Sequence, residues 1–127
     1  MNTTFSDDKP LFLQIKQRIE DQIVNGQLTA HDQIPSTTKM VQFYTINHIT
    51  ISKGVNLLVD EGILYKKRGV GMFVAEGAKQ QLLKVRQDSF AANYLLPMLK
   101  EAKKLGLSDE ELTKMFIKIR EGYRDEL

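Results

Sequence analysis

Phe12, Ile15, Ile19 and Ile23 recur at three- or four-residue intervals, with Lys16, Gln17, Glu20 and Asp21 filling the positions between them. That period puts the four apolar side chains on one face of a helix. Pro10 suits the first helical position, where its missing N–H would have had no partner, and Gly26 supplies the stop. Leu28 and Ile34 are expected to fold the following loop back onto the same face.

A second, shorter helix is predicted after Pro35, with Ser36 as N-cap, because its hydroxyl can accept from a backbone N–H two or three residues on. It runs to about Phe43 and buries Met40 and Val41. Tyr44 to Ile46 form a turn, and Asn47 caps a third helix reaching about Glu61. There Ile51, Gly54 or Val55, and Leu58 share one face, while Ile49, Ser52 or Lys53, and Asn56 share the other. Gly62 ends it. Two short β-prone segments follow, Ile63–Leu64–Tyr65 and Met72–Phe73–Val74, separated by Lys66–Lys67–Arg68–Gly69–Val70–Gly71. The glycines allow a tight reversal, which predicts a hairpin with a basic tip. Helix, helix, turn, helix, hairpin is the plan of a winged helix-turn-helix.

Beyond Gly77 the pattern is helical throughout. A long helix is predicted from about Ala78 to Leu105, carrying Leu82, Val85, Phe90, Tyr94, Leu95 and Leu99. Pro97 must remove one backbone hydrogen bond and crowd the carbonyl of Asn93, so a kink or break is expected there. Gly106 closes the helix. Ser108 and Glu111 have the spacing of a capping box, flanked by Leu107 and Leu112, and a last helix lines up Leu112, Phe116, Ile119 and Tyr123. The fold class is therefore mainly α with a small β element: a winged helix-turn-helix over residues 9–77 and a two-helix extension over 78–127.

With 127 residues the chain has room for one compact domain and an appendage. Its 42% hydrophobic content excludes intrinsic disorder, and the absence of Cys excludes disulfides, thiolate metal sites and a cysteine nucleophile. No apolar run, Tyr94–Leu95–Leu96 before Pro97 included, approaches membrane-spanning length, which implies no membrane span. The first eight residues lack the basic head and apolar body of a secretion signal, so a cytoplasmic location is expected. The net charge of +2 is unremarkable, but its distribution is not. From Gln33 to Ala75 the bases are Lys39, Lys53, Lys66, Lys67 and Arg68, and the acids are Asp60 and Glu61 alone, which suits a polyanion-facing surface.

A helix that docks in a major groove needs a rigid support, a face free of acids, and donors near its start. Asn47, His48, Ile49, Thr50, Ser52 and Lys53 meet the last two requirements. Thr50 and Lys53 are candidates for phosphates and His48 for a phosphate or a base edge. Ile49 either packs in the core or, if Ile51 is buried, meets a thymine methyl. Asn47 suits a cap better than a base reader. Ser36, Thr37, Thr38 and Lys39 open the second helix, where free N–H groups favour a phosphate, a role compatible with capping. Lys67, Arg68 and Gly69 form either a solvated basic turn or a tip that reaches the minor groove and its flanking phosphates.

Enzymatic chemistry finds little to stand on. His31 and His48 have no acid or nucleophile at a catalytic spacing. Asp109, Glu110 and Glu111 suit the dipole of a first helical turn, and Gly69 and Gly71 do not open a helix, as a phosphate-binding loop would. No cofactor or metal is implied. Tyr44, Phe90 and Tyr94 could line a small-molecule pocket, but at helical spacing they suit a core or an interface better. Two amphipathic helices cannot bury Leu82, Phe90, Tyr94, Leu95, Leu99, Phe116 and Ile119 against each other alone. A second copy of the chain is therefore the expected partner besides double-stranded DNA. Two other functions remain open: a winged-helix protein-interaction module with no DNA role, and a regulator with a metabolite effector in its helical part.

Residues 10–75 resemble the DNA-binding domain of the GntR family of bacterial regulators. The likeness rests on Pro10–Leu11–Phe12–Leu13–Gln14–Ile15, Ile34–Pro35–Ser36, Thr50–Ile51, Leu58, Glu61–Gly62–Ile63 and Gly69–Val70–Gly71–Met72–Phe73–Val74. The short helical remainder resembles the YtrA-type branch, which implies dimerisation helices in place of a ligand-binding domain, and repression of a nearby operon. Many family members carry a DNA-facing Arg at two positions that hold Thr38 and His48 here. A bidentate Arg–guanine contact is absent from both, so the resemblance implies the docking mode without the base preference.

Overall fold

The computed structural model describes residues 4–127. Residues 1–3, part of the segment read above for a secretion signal, lie outside the described residues. The elements in order are α1 (Leu11–Val24), α2 (Thr37–Tyr44), α3 (His48–Asp60), β1 (Leu64–Lys67), β2 (Gly71–Val74), α4 (Ala78–Phe90), a π-helical turn (Ala91–Leu95), α5 (Leu96–Lys104) and α6 (Asp109–Gly122). The chain divides into two compact units, one ending at Val85 and the other beginning at Arg86.

In the first unit, the stripes foreseen on α1 and α3 meet. Ile15, Ile19 and Ile23 pack with Ile51, Val55 and Leu58, and Ile34, Met40, Ile63, Leu64 and Val74 complete the core. Phe12, expected in the α1 stripe, is only half-buried. The caps work as expected: Ser36 Oγ accepts from Lys39 N at 3.1 Å and Asn47 Oδ1 from Thr50 N at 2.9 Å. A salt-bridge triad ties α1 to the end of α3, with Lys16 Nζ 3.1 Å from Glu20 and 3.2 Å from Glu61. Burial alone would lower the Lys16 ammonium, but the two carboxylates together outweigh it and hold it above its ordinary value.

β1 and β2 pair antiparallel, Leu64 with Val74, Tyr65 with Phe73, Lys66 with Met72 and Lys67 with Gly71. β1 begins and ends later than the apolar pattern suggested, and β2 begins one residue earlier. Lys66 and Lys67 belong to β1 rather than to the turn, because the ladder is made by backbone groups and is indifferent to side-chain polarity. The connection is only Arg68–Gly69–Val70, closed by Val70 N–H donating to Lys67 O at 2.9 Å. The sequence also gave no sign of a third contributor to this sheet: Gln33 forms an antiparallel bridge with Phe73.

α4 begins in the first unit, where Ala78 and Leu82 join the core. This corrects two expectations. The unit boundary falls after Val85, not after Gly77, and Leu82 is 6% exposed within the winged core rather than available to a partner subunit. The interruption foreseen at Pro97 takes the form of the π-helical turn at Ala91–Leu95, with Pro97 in the first turn of the new helix α5. A wide turn ending just before the proline accommodates the ring and the donor it lacks. α6 opens with the complete capping box, Ser108 Oγ accepting from Glu111 N and Glu111 Oε1 from Ser108 N. Among the described residues of the second unit Ala102 alone is buried. No helix among the described residues is long and apolar enough to cross a membrane.

Candidate nucleic-acid interface

α3 is buried on one side and open on the other. Ile51 and Leu58 are fully enclosed, whereas Ile49, two positions before Ile51, is 80% exposed. The choice left open by the sequence is thus settled against core packing. Around Ile49 the first two turns present His48 and Lys53, both exposed, and Thr50 and Ser52, both half-buried. His48 Nδ1 lies 3.3 Å from Ser52 Oγ, which leaves the other ring nitrogen facing outward from that pair. Asn47 spends its side-chain oxygen on the cap, and its amide N–H groups remain donors at the helix entrance.

Lys53 does not simply project into solvent. Its ammonium sits 4.0 Å from the centroid of the Phe12 ring, which holds the charge beside the start of α1. Phe12, which the sequence pattern assigned to the core, thus touches a candidate site residue; its place in the apolar stripe concealed that contact. Glu61, one of the two acids of the basic stretch, is paired with Lys16 and so adds little uncompensated negative charge.

At the entrance of α2, Thr38 and Lys39 are exposed, and so is Ser36; Thr37 is half-buried. The first N–H groups of a helix have no intrahelical acceptor, so this entrance and that of α3 both offer donors and a positive dipole end to an anion. On the hairpin, Lys67, Arg68 and Gly69 are exposed, and Lys67 Nζ lies 4.8 Å over the Phe73 ring. Val70, also in the tip and 60% exposed, was not foreseen as a surface residue. The pieces suit the two parts of a duplex reader: a helix whose first two turns carry no acid, with Asp60 on the same outer face only at its far end, and a basic hairpin tip. Sequence comparison decides which family uses them here. The family described as bacterial regulatory proteins, gntR family, matches residues 11–74, from the first residue of α1 to the last of β2.

The chain belongs to the GntR family of bacterial regulatory proteins. Its function is that of a DNA-binding transcriptional regulator with a winged helix-turn-helix. The likeness extends past the wing. The uncharacterized HTH-type transcriptional regulator YhcF of Bacillus subtilis is 30% identical over 122 residues, covering 96% of this chain and 99% of that protein. A transcriptional regulator from Oenococcus oeni superposes with a TM-score of 0.78 at 25% identity, over 91% of this chain and 95% of that one. The structure of AraR(DBD) in complex with operator ORX1 matches with a TM-score of 0.53 at 29% identity, over 59% of this chain and 90% of that one. Both of these near full-length matches, to YhcF and to the Oenococcus oeni regulator, continue into the helices after the wing.

Those helices expose a dense apolar surface. Phe90, Tyr94, Leu95, Leu99, Phe116 and Ile119, the residues expected to face a partner, are all between 40% and 67% exposed, and the Phe90 and Tyr94 rings lie 5.4 Å apart. Met98, Leu105, Met115, Ile117 and Tyr123 add to the surface, and the α6 stripe read from the sequence did not include the first four. A groove within the second unit is lined by Met98, Ala102, Leu105, Leu112, Phe116 and Ile119. Tyr44, grouped earlier with Phe90 and Tyr94, instead packs edge-on against Phe5 and Phe43 in the first unit.

Proposed function

We propose that the protein is a cytoplasmic, homodimeric repressor of the YtrA-like branch that binds an inverted-repeat operator. α3 lies in the major groove with Ile49 against a thymine methyl and His48 against a base edge or phosphate. Ser52, Thr50 and Lys53 flank it, Ser36 to Lys39 hold a phosphate at the entrance of α2, and Lys67, Arg68 and Gly69 enter the neighbouring minor groove. The observation that carries the proposal is the 80% exposure of Ile49 between donors, on a helix whose other face is sealed. A lone branched apolar side chain gains little from water and much from a methyl-lined groove.

The dimer is supported by the apolar surface of the second unit, which one chain leaves open. Covering these side chains with a second copy would remove apolar area from water, the main favourable contribution to association. Two-fold pairing supplies two recognition helices, hence the inverted repeat. Membership of the YtrA-like branch is supported by the end-to-end match to a short relative, and the repressing direction by relatives named as repressors, the histidine utilization repressor of Klebsiella aerogenes and NagR of Bacillus subtilis.

Salt titration of a duplex enriched by the protein from a randomised pool tests the proposal. Affinity should fall steeply with salt, and Lys53→Ala or Arg68→Ala should each reduce the slope by about one unit. Ile49→Ala should leave the slope unchanged and cost about 1 kcal/mol of discrimination for one A·T pair in each half-site. A slope that neither cation alters would remove the phosphate contacts from the proposal.

A further inference from the structure

We propose that Gln33 is a positioning residue for the wing tip: its side chain braces Val70 and so fixes where Arg68 and Gly69 are presented to DNA. This rests on the proposal above that the tip contacts the duplex.

Three observations converge on it. The Gln33 amide Nε2 donates to Val70 O at 3.0 Å, across 37 positions of sequence. The Gln33 backbone is itself anchored, because the loop before α2 lies against β2 at an isolated antiparallel bridge between Gln33 and Phe73. His31 N–H donates to Val74 O at 2.7 Å, Val74 N–H to Asp32 O at 2.9 Å and Ile34 N–H to Met72 O at 3.0 Å, and Ile34 is buried in the core. Finally, the space the amide occupies exists only because residue 71 is glycine. A Cβ there would stand 2.5 Å from Gln33 Nε2, and the φ of +145° is one that side chains rarely adopt.

The tip loop has three residues, and its last, Val70, is held by two hydrogen bonds. Lys67 O takes the Val70 N–H on one side, and Gln33 takes the Val70 carbonyl on the other. A two-stranded hairpin alone is marginally ordered; here the bridge at Gln33 stiffens β2 and the Gln33 amide stiffens the tip. The Gln33 side chain is exposed, so the brace contributes little to the core. Its effect falls on the loop that carries Arg68. Ordering that loop before binding removes a conformational cost from the complex.

The experiment is a double-mutant cycle, read as affinity for the duplex enriched from a randomised pool. Gln33→Met keeps the length of the side chain and removes the amide donor. Arg68→Ala should weaken binding about tenfold in the wild-type chain and no more than about twofold in Gln33→Met, because an unbraced tip no longer places the guanidinium. The melting temperature of Gln33→Met should stay within about 2 °C of wild type. Gln33→Glu, which sets acceptor against acceptor, should weaken binding at least as much as Gln33→Met. A tenfold Arg68→Ala effect in both backgrounds overturns the brace and leaves the wing as a DNA contact. No Arg68→Ala effect in the wild-type chain overturns the wing contact, and the brace with it. A large fall in melting temperature on Gln33→Met overturns the brace by making Gln33 a residue of the fold.

Discussion

Phe116→Asp is expected to leave the chain folded, monomeric, and at least about 100-fold weaker for its operator, because tethering two readers multiplies affinity by roughly that factor or more. Phe116 is 61% exposed on α6, beside Ile119 and above the groove formed with Met98, Ala102 and Leu105. In a lone chain a carboxylate there meets water and costs little. In a paired chain it must be buried without a partner, at a cost of several kcal/mol on each side of the two-fold axis. Sedimentation should report half the wild-type mass, and circular dichroism an unchanged helix content. Leu82 is the contrasting position. It is a large apolar residue of the same helical region, but it is 6% exposed in the core of the first unit. Leu82→Ala should therefore cost about 2–5 kcal/mol of stability without creating a monomer of otherwise native behaviour. If Phe116→Asp sediments and binds as the wild type does, the C-terminal helices do not pair the subunits.

The contrast between Leu82 and Phe116 also marks how far the sequence can be read. Helical periodicity says that Leu82, Phe90 and Leu99 are each on an apolar face; it does not say which body covers that face. α4 starts against the winged core and ends in the other unit, so one uninterrupted pattern serves two purposes. Local signals fared better. Ser36, Asn47 and Ser108 all cap the helices they were expected to cap, since a cap depends only on residues three positions away. The sealed face of α3 was legible for the same reason, and from it the exposure of Ile49. What stayed hidden depends on long-range contact: the Lys53 ammonium over Phe12, the Gln33 amide on Val70, and the edge pairing of the loop before α2 with β2. Polarity misled at Lys66 and Lys67, which looked like turn residues although the strand continues through them. At Pro97 the expected kink or break is found as a break in the α-helix. It is spread over the turn preceding the proline as a π-helical segment, a form the sequence did not specify.

The same local reasoning, applied alone, predicts the wrong sign at Gly54. A glycine in the middle of a helix costs about 1 kcal/mol relative to alanine, so Gly54→Ala should stabilise α3 considered by itself. The packing of α1 against α3 reverses this. A Cβ on residue 54 would stand 2.6 Å from the carbonyl oxygen of Phe12 and 3.4 Å from Cβ and Cγ2 of Ile15. The first of these is a backbone atom of a helix and has no rotamer to escape into. α1 must therefore move as a body, and it carries Ile15, Ile19 and Ile23 out of register with Ile51, Val55 and Leu58, all of them buried. Overpacking of this kind costs about 1–3 kcal/mol and occasionally more, and against a rigid carbonyl the upper part of that range applies. After the gain in helix propensity, Gly54→Ala should be net destabilising by about 2 kcal/mol, seen as a lower midpoint in urea at unchanged slope. The displacement also separates Phe12 from Lys53, so operator affinity should fall by more than the loss of folded population explains. Asn56→Ala, on the exposed side of the same helix, is the control and should be neutral or slightly stabilising. A rise in midpoint for Gly54→Ala would mean that α1 and α3 do not approach as closely as the carbonyl contact requires, and the support on which the recognition helix rests would have to be redrawn.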